Sequence, residues 1–171
     1  MVFGLAALTV AACVSIDNRV STEPIDRAAT QRISGDFSNR ASYRSTGEFL
    51  ARDNLADLLG VPAKTADRVR ISGDPNEALT ITWYLRDEEK ASRLFSKEFG
   101  LAIAADGLID LQSEGKWGSG EGAFGYETHS VRIFINSNGD LATVQLGGGG
   151  GLFGPFPVGV YARHLAIFPR R

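Results

Sequence analysis

The sequence VRIFINSNGDLATVQL, residues 131–146, decides the fold of this chain. Its first five residues, VRIFI, give the clearest β-strand signal in the sequence. The step Asn138-Gly139 follows, and such a step readily adopts the positive φ angles of a hairpin turn. Residues 141–146 then return as the partner strand. The stretch therefore predicts an antiparallel β-hairpin with its turn at 136–140.

A second hairpin is predicted over residues 68–85, where apolar and polar residues again alternate with a period of two. The cluster GDPN at 73–76 supplies its turn. Trp83 alternates with polar neighbours and is predicted to lie in the core.

The charged residues 87–90 predict the next turn, and residues 91–99 fit either a strand or one short helix. We favour the strand because hairpins continue on both sides. Further strands are predicted at 33–39, 101–103, 108–112, 127–136 and 158–167.

Residues 45–59 predict the one helix of the chain. A Ser or Thr cap with Glu48 nearby marks its start, and Gly60 followed by Pro62 marks its end. The leucines at 55, 58 and 59 form an apolar stripe at helical spacing. This stripe favours a helix that lies over the end of a barrel or sandwich, and a helix that binds in a groove is the alternative.

Roughly seven to nine short strands with one helix predict a mainly β fold, either a single antiparallel β-barrel or a sandwich. Gly35-Asp36-Phe37 resembles the early Gly-x-aromatic step of lipocalin-like barrels, and this resemblance implies a barrel. Closure would also remove the exposed sheet edges that invite pairing with other chains. We therefore expect one β-rich globular domain at residues 31–171 and prefer a barrel slightly over a sandwich.

The composition is that of a globular protein, and it argues against nucleic-acid binding and against a site built from several cysteines. The chain is 43% hydrophobic and 22% charged, with a formal net charge of -2. Its pI of about 5.7 gives no basic footprint for nucleic acid. The single cysteine, Cys13, excludes an intramolecular disulfide and a cysteine-based zinc site.

The N-terminal residues carry a second resemblance. Residues 2–12 form an uncharged apolar run that is too short to cross a bilayer as a helix. The sequence Val10-Ala11-Ala12-Cys13 resembles the lipobox of bacterial lipoproteins. That resemblance implies a signal peptide at 1–12, removed by cleavage, and diacylglycerol on the sulfur of Cys13. Met1-Val2-Phe3 lacks Lys and Arg, which leaves open whether Met1 is the true start. The alternative from the residues themselves is a small core cysteine that follows a buried strand.

The lipoprotein resemblance also implies a location. Residues 13–30 are polar, contain Pro24 and are expected to form a lipidated tether. Val14 stands where Asp would favour the inner membrane, so the resemblance implies the outer membrane, facing the periplasm. Several acyl chains are sufficient for anchoring. The sequence shows no second membrane-binding element.

The glycine run at 147–151 and the apolar residues after it are the second unusual feature. Residues 149–154 formally fit a dinucleotide fingerprint, but Pro155 and Pro157 prevent the helix that this motif requires. The run fits either a flexible loop or a glycine-rich strand bend. A more specific hypothesis is a mobile apolar flap that contacts a ligand or a partner. The candidate contact residues are Leu152, Phe153 and Phe156, together with Trp117 in a predicted loop at 115–122.

No catalytic, metal or cofactor site is predicted. His129 and Ser130 are neighbours in a predicted strand, so their side chains would lie on opposite faces. His129 and His164 lack ligand spacing, and the turn at Asn136 has Gln145 where a calcium loop requires Glu.

Three functions remain. The leading one is a non-enzymatic envelope lipoprotein that makes structural or protein contacts. The second is a carrier of a lipid or other apolar ligand, which requires a cavity beneath residues 147–157. The third is an envelope-directed enzyme, which requires clustered polar groups with shifted pKa values in a cleft.

Overall fold

A computed structural model describes residues 12–16, 23–44, 54–120, 123–153 and 156–171. Residues 12–16, 113–120, 123–129, 148–150, 152–153 and 156–162 are described by their backbone alone. The two short helices are α1 (Arg27–Thr30) and α2 (Leu55–Leu58). The strands are β1 (Ala12–Ile16), β2 (Gly35–Ser38), β3 (Tyr43–Arg44), β4 (Arg68–Asp74), β5 (Ala78–Leu85), β6 (Glu88–Ser96), β7 (Leu101–Ile103), β8 (Ile109–Gly120), β9 (Ala123–Ile135), β10 (Leu141–Phe153) and β11 (Phe156–Phe168).

The strands form two sheets, which confirms the mainly β, antiparallel prediction. The larger sheet has the order β1-β11-β10-β9-β8-β7, with β3 also paired to β11. The smaller sheet has the order β2-β4-β5-β6. Every described strand pair is antiparallel except β1 with β11, which is parallel. None of the described helices is long and apolar enough to cross a bilayer.

The core lies between the two sheets. Trp83 and Phe95 of the small sheet and Val131 and Ile133 of the large sheet belong to one buried cluster, and Trp83 is fully buried as predicted. On the opposite face of the large sheet, a smaller cluster buries Phe134 and its neighbours. Burial on both faces explains why residues 131–135 are almost continuously apolar.

The two sheets are joined at one edge by the C-terminal residues. The N–H of Ser38 in β2 donates to the carbonyl oxygen of Pro169 at 2.8 Å, and the N–H of Arg171 donates to Asp36 at 2.9 Å. The other terminal strands, β6 and β7, follow each other through the turn at 97–100 and are not paired with each other among the described residues. Within the described ranges the strands therefore do not close into a ring, and the slight preference for a lipocalin-like barrel gains no support.

The hairpin at 131–146 is confirmed. Gly139 has a φ of 84°, and the Asn136 side-chain oxygen accepts hydrogen bonds of 3.0 Å from the N–H groups of Asn138 and Asp140.

Residues 91–99 lie mostly in β6, so the strand was the correct alternative. The turn before β6 is shorter than predicted, because Arg86 and Asp87 alone adopt positive φ angles of 50° and 67°. Glu88 already belongs to the strand.

Two predicted loops are strands instead. The glycine run at 147–151 lies inside β10, and Trp117 lies inside β8. Both neighbours of β10 are in register with it from Leu141 to Phe153, so they supply hydrogen-bonding partners along its whole length. The flexible-loop interpretation of the glycine run is therefore wrong, and a glycine-rich strand is correct. The contact of Leu152, Phe153 and Phe156 with a ligand or partner stays a prediction.

The helical regions also differ from the prediction. Helix α2 begins only at Leu55, because the side chain of Asn54 caps it by accepting a 2.7 Å hydrogen bond from the N–H of Asp57. Gly60, with a φ of 66°, ends it as predicted. Residues 45–53 of the predicted helix lie outside the described residues.

The segment expected as a tether contains two elements, β1 and α1. The N–H of Asp26 donates to the carbonyl oxygen of Ile135 at 2.8 Å, and Asn136 donates to the Glu23 carboxylate at 2.9 Å. The packed part of the chain therefore starts before residue 31. The sequence gives little warning, because a helix of one turn shows no apolar periodicity.

Candidate functional site

A cleft of about 600 Å³ opens between the two sheets at one end of the molecule. Three segments line it, and they come from distant parts of the sequence. They are residues 30–32 with Ser34, the β4–β5 turn at 73–76, and Ile103, Gly107 and Ile109 of the β7–β8 hairpin. The volume lies within the range of ordinary ligand-binding clefts.

The first wall of the cleft is fixed to the large sheet. The Thr30 hydroxyl accepts a 2.9 Å hydrogen bond from the N–H of Ile135 and donates a 2.7 Å bond to the carbonyl oxygen of Asp26. The Arg27 guanidinium donates to the carbonyl oxygen of Asp106 at 3.2 Å. These contacts hold α1 and the β7–β8 turn together, so Gln31 and Arg32 follow a fixed backbone.

The second wall is the β4–β5 turn, which can exist in this form only with glycine at position 73. Gly73 has a φ of 112°, and a Cβ there would lie 2.2 Å from the Ala78 carbonyl oxygen. The Ser34 hydroxyl donates to the Gly73 carbonyl oxygen at 3.2 Å. The Arg170 guanidinium in turn donates to the Ser34 carbonyl oxygen at 3.1 Å. The cleft is therefore largely pre-formed, which lowers the entropic cost of binding.

The lining combines one anion, one cation and an apolar floor. Asp74 accepts hydrogen bonds from the N–H and the side-chain amide of Asn76, at 2.8 and 2.9 Å, and these bonds lower the pKa of its carboxyl group. Arg32 is exposed and forms no ion pair with any described residue. Ile109 is 1% exposed and forms the floor, whereas Ile103 is 46% exposed at the rim.

Strand β7 adds unpaired backbone groups beside the cleft. The N–H of Ala104 donates to Leu108 at 2.8 Å, and the N–H of Gln112 donates to Gly100 at 2.7 Å. Because bonded pairs alternate along an antiparallel ladder, the N–H and C=O groups of Leu101 and Ile103 turn away from β8. Among the residues that the structure describes, β7 is the terminal strand of its sheet, and no other strand pairs with this edge.

Sequence reasoning missed this cleft. Residues 73–76 were recognised as a turn, but a turn pattern gives no indication of what faces it across the fold. Arg32 and Asp74 are far apart in sequence, and only the antiparallel pairing of β2 with β4 brings their segments together. No local motif could have shown the site.

The candidate residues from the sequence lie at the opposite end of the large sheet. Cys13 is in register with Val160, and Phe153 with Phe156. Leu152 is in register with Pro157, and Trp117 with Tyr126. The fold therefore brings all five candidate residues, Cys13, Trp117, Leu152, Phe153 and Phe156, to one end of one sheet. Lipidation of Cys13 stays a prediction.

The two histidines lie in paired strands, and Asn136 stabilises the β9–β10 turn. His164 is buried and in register with Gln145, whereas His129 pairs with Gly147, two positions further along the ladder. Asn136 uses its side chain to hold the β9–β10 turn and to bind Glu23. The part of the chain that the structure describes contains no group of three His, Cys, Asp or Glu residues that could hold a metal ion.

The cleft does not match the cavity that an apolar carrier requires. Such a cavity was expected beneath residues 147–157, and none of these residues lines the cleft. Comparison with known proteins gives no further guidance, since no family model, no curated protein and no solved structure matches this chain.

Proposed function

We propose that this chain is a lipid-anchored protein of the bacterial envelope whose β domain holds a partner protein without catalysing a reaction. The observation that carries the proposal is the position of the anchor relative to the cleft. Cys13 pairs with Val160, whereas the cleft residue Ile109 lies in the same row of the sheet as Ala166. Six residues of β11 separate the two rows, roughly 20 Å.

This arrangement would suit a protein that presents a binding site to the periplasm. Lipid on Cys13 would hold one end of the sheet at the outer membrane, and the cleft would face away from it. The membrane would then leave the rim at Arg32 and Ile103 accessible to another envelope protein.

The lining favours an extended peptide segment as the part of the partner that enters. The free edge of β7 can pair with an added strand through Leu101 and Ile103, and main-chain bonds of this kind supply affinity in strand addition. Ile103 and Ile109 would accept an apolar side chain. The guanidinium of Arg32, which forms no ion pair with any described residue, would select a carboxylate nearby.

A binding role fits the electrostatics better than catalysis does. Asp74 is the only carboxylate among the described lining residues, and its hydrogen bonds to Asn76 lower its pKa. A general base that works near neutral pH needs a raised carboxyl pKa. Asp74 is therefore suited to stay charged.

Two experiments test the two halves of the proposal. The anchor is tested by mass spectrometry of the Cys13 peptide from membrane-purified protein, with Cys13→Ala as the companion variant. We expect an acylated cysteine, and loss of membrane association without loss of fold in Cys13→Ala. An unmodified thiol in protein purified from membranes would overturn the anchor.

The partner site is tested with a photo-crosslinking residue in living cells. In the test variant the crosslinking residue replaces Ile103, which is 46% exposed and lies in the cleft. In the control it replaces Leu94, which is 53% exposed and lies outside the cleft. We expect a discrete protein adduct at 103 that disappears with Arg32→Glu, and none at 94. Equal adducts at both positions, or an adduct at 103 that ignores Arg32→Glu, would contradict the site.

A further inference from the structure

We infer that one end of the large sheet enters the membrane interface beside the lipid anchor, as a second attachment. The inference rests on the proposed lipidation of Cys13. The uncharged end is defined as the described residues 117–120, 123–126, 150–153 and 156–159, which belong to β8, β9, β10 and β11.

The charge pattern along these strands changes at the row that contains Cys13. Five positions make up this row, and they are Lys116, Glu127, Gly149, Val160 and Cys13. Lys116 and Glu127 are the last charged residues before the uncharged end. In the sequence from 117 to 126 the only charged residue is Glu121, which lies outside the described residues, and 147–162 has none. The anchor is thus level with the boundary between charged and uncharged sheet.

The geometry gives the uncharged end the right direction and depth. β1 runs parallel to β11, and its first residue, Ala12, pairs with Gly159 on the far side of the Cys13 row. Signal cleavage before Cys13 would place the new N-terminus at this boundary. The sheet continues beyond it for four rows, from Gly159 to Phe156, which is roughly 13 Å. Interfacial segments are buried by about 5 to 10 Å.

The residue types are those that membrane interfaces favour. The uncharged end contains Trp117, Phe124, Tyr126, Phe153 and Phe156. Trp and Tyr are enriched at the boundary between lipid and water, and Phe is common on the buried face of interfacial segments. Glycine accounts for most of its other positions and carries no polar side chain to desolvate.

The backbone of the inner strands is also compatible with an apolar medium. β9 and β10 are paired on both sides throughout this end, which provides partners for their N–H and C=O groups. Four rows are too few to span a bilayer, since a crossing strand needs about 9 to 11 residues. The end is therefore suited to the interface and not to a transmembrane position.

The native tryptophans provide the test. The chain contains two, Trp117 in the uncharged end and Trp83, fully buried in the core. Full-length protein purified from membranes is reconstituted into vesicles of phosphatidylethanolamine and phosphatidylglycerol, with or without brominated acyl chains. Because one of the two tryptophans lies in the uncharged end, we expect bromine to quench about half of the emission, and we expect no quenching in Trp117→Phe. Equal emission with both lipids, or quenching that persists in Trp117→Phe, would overturn the inference.

A paired substitution provides a second readout that keeps Trp117 in place. Phe153→Asp with Phe156→Asp should abolish the quenching, because charge at this end opposes insertion. Phe99→Asp is the matched control, since Phe99 is 64% exposed in the turn before β7, and it should leave the quenching unchanged. Concentration-dependent crosslinking between copies at residue 153, without quenching, would assign this end to self-association and reject the inference.

The Cys13 peptide from the same preparation separates the two proposals. Acylated Cys13 without quenching of Trp117 would reject the second attachment and keep the anchor. Unmodified Cys13 with quenching of Trp117 would reject the anchor and leave the sheet end as the membrane contact.

Discussion

The hydroxyl of Thr30 accepts a 2.9 Å hydrogen bond from the backbone N–H of Ile135. Thr30 is completely buried, and its hydroxyl also donates to Asp26 at 2.7 Å. One side chain therefore joins helix α1 to the end of β9 and positions the wall of the cleft that carries Arg32.

Thr30→Val should lower the free energy of unfolding by about 2 kcal/mol, because it keeps the side-chain shape but leaves the buried Ile135 N–H without its partner. Urea denaturation measures the change. Thr65→Val is the control, since Thr65 is exposed, and its effect should stay within about 0.5 kcal/mol. Equal stability of the two variants would show that α1 does not depend on this bond.

Gly73→Ala should be far more harmful than Gly107→Ala, although both glycines have positive φ angles. At Gly107, with a φ of 82°, no atom lies within 4 Å of an added Cβ, so only backbone strain of about 1 kcal/mol is expected. At Gly73 the Cβ would lie 2.2 Å from a backbone oxygen. We expect a loss of about 3 kcal/mol or more there, measured by thermal and urea unfolding. Similar losses at the two positions would mean that the β4–β5 turn can shift without cost.

The parts of the fold that local chemistry determines were predictable from the sequence. Asn138-Gly139 predicted its hairpin because such a step accepts positive φ angles, although in the turn only Gly139 adopts one. Trp83 was recognised as a core residue because its neighbours alternate in polarity. The same reasoning failed at 147–151, because glycine has no intrinsic strand preference, and only pairing with β9 and β11 makes this run a strand.

The sites depend on pairings that no local signal contains. The cleft joins residues near 32, 74 and 103, and the uncharged end exists only because four strands are in register. The sequence did show the aromatic residues at 117, 153 and 156 as unusual. It could not show that they lie at the same end of the sheet as Cys13, since that relationship follows from the parallel pairing of β1 with β11.

The outer face of the small sheet should make stability depend on pH. Both oxygens of Asp36 accept hydrogen bonds from Arg70, at 2.9 and 3.0 Å, and the pKa of Asp36 is lowered chiefly by Arg70. A lowered carboxyl pKa stabilises the folded state above the unfolded pKa of about 3.9. That contribution is lost as the pH falls through the lower, folded pKa.

Asp36→Asn should therefore cost about 1 kcal/mol at pH 7, and the difference from the wild type should shrink as the pH falls through the lowered pKa of Asp36. Urea unfolding at a series of pH values measures it. Asp67→Asn is the control, since Asp67 is exposed and forms no ion pair among the described residues. A difference that does not vary with pH would assign the loss to packing.

The core of the large sheet contains a hydroxyl whose removal should stabilise the protein. Thr143 is 1% exposed, and its Oγ1 has no hydrogen-bonding partner among the described residues. Thr143→Val replaces it with a methyl group of similar size, so the cost of burying an unpaired hydroxyl disappears and unfolding should require about 1 kcal/mol more. Thr82→Val is the matched comparison, because the Thr82 hydroxyl lies 3.1 Å from that of Ser92, and it should lower the stability instead. If Thr143→Val also destabilises the protein, the Thr143 hydroxyl has a partner in solution, such as a buried water.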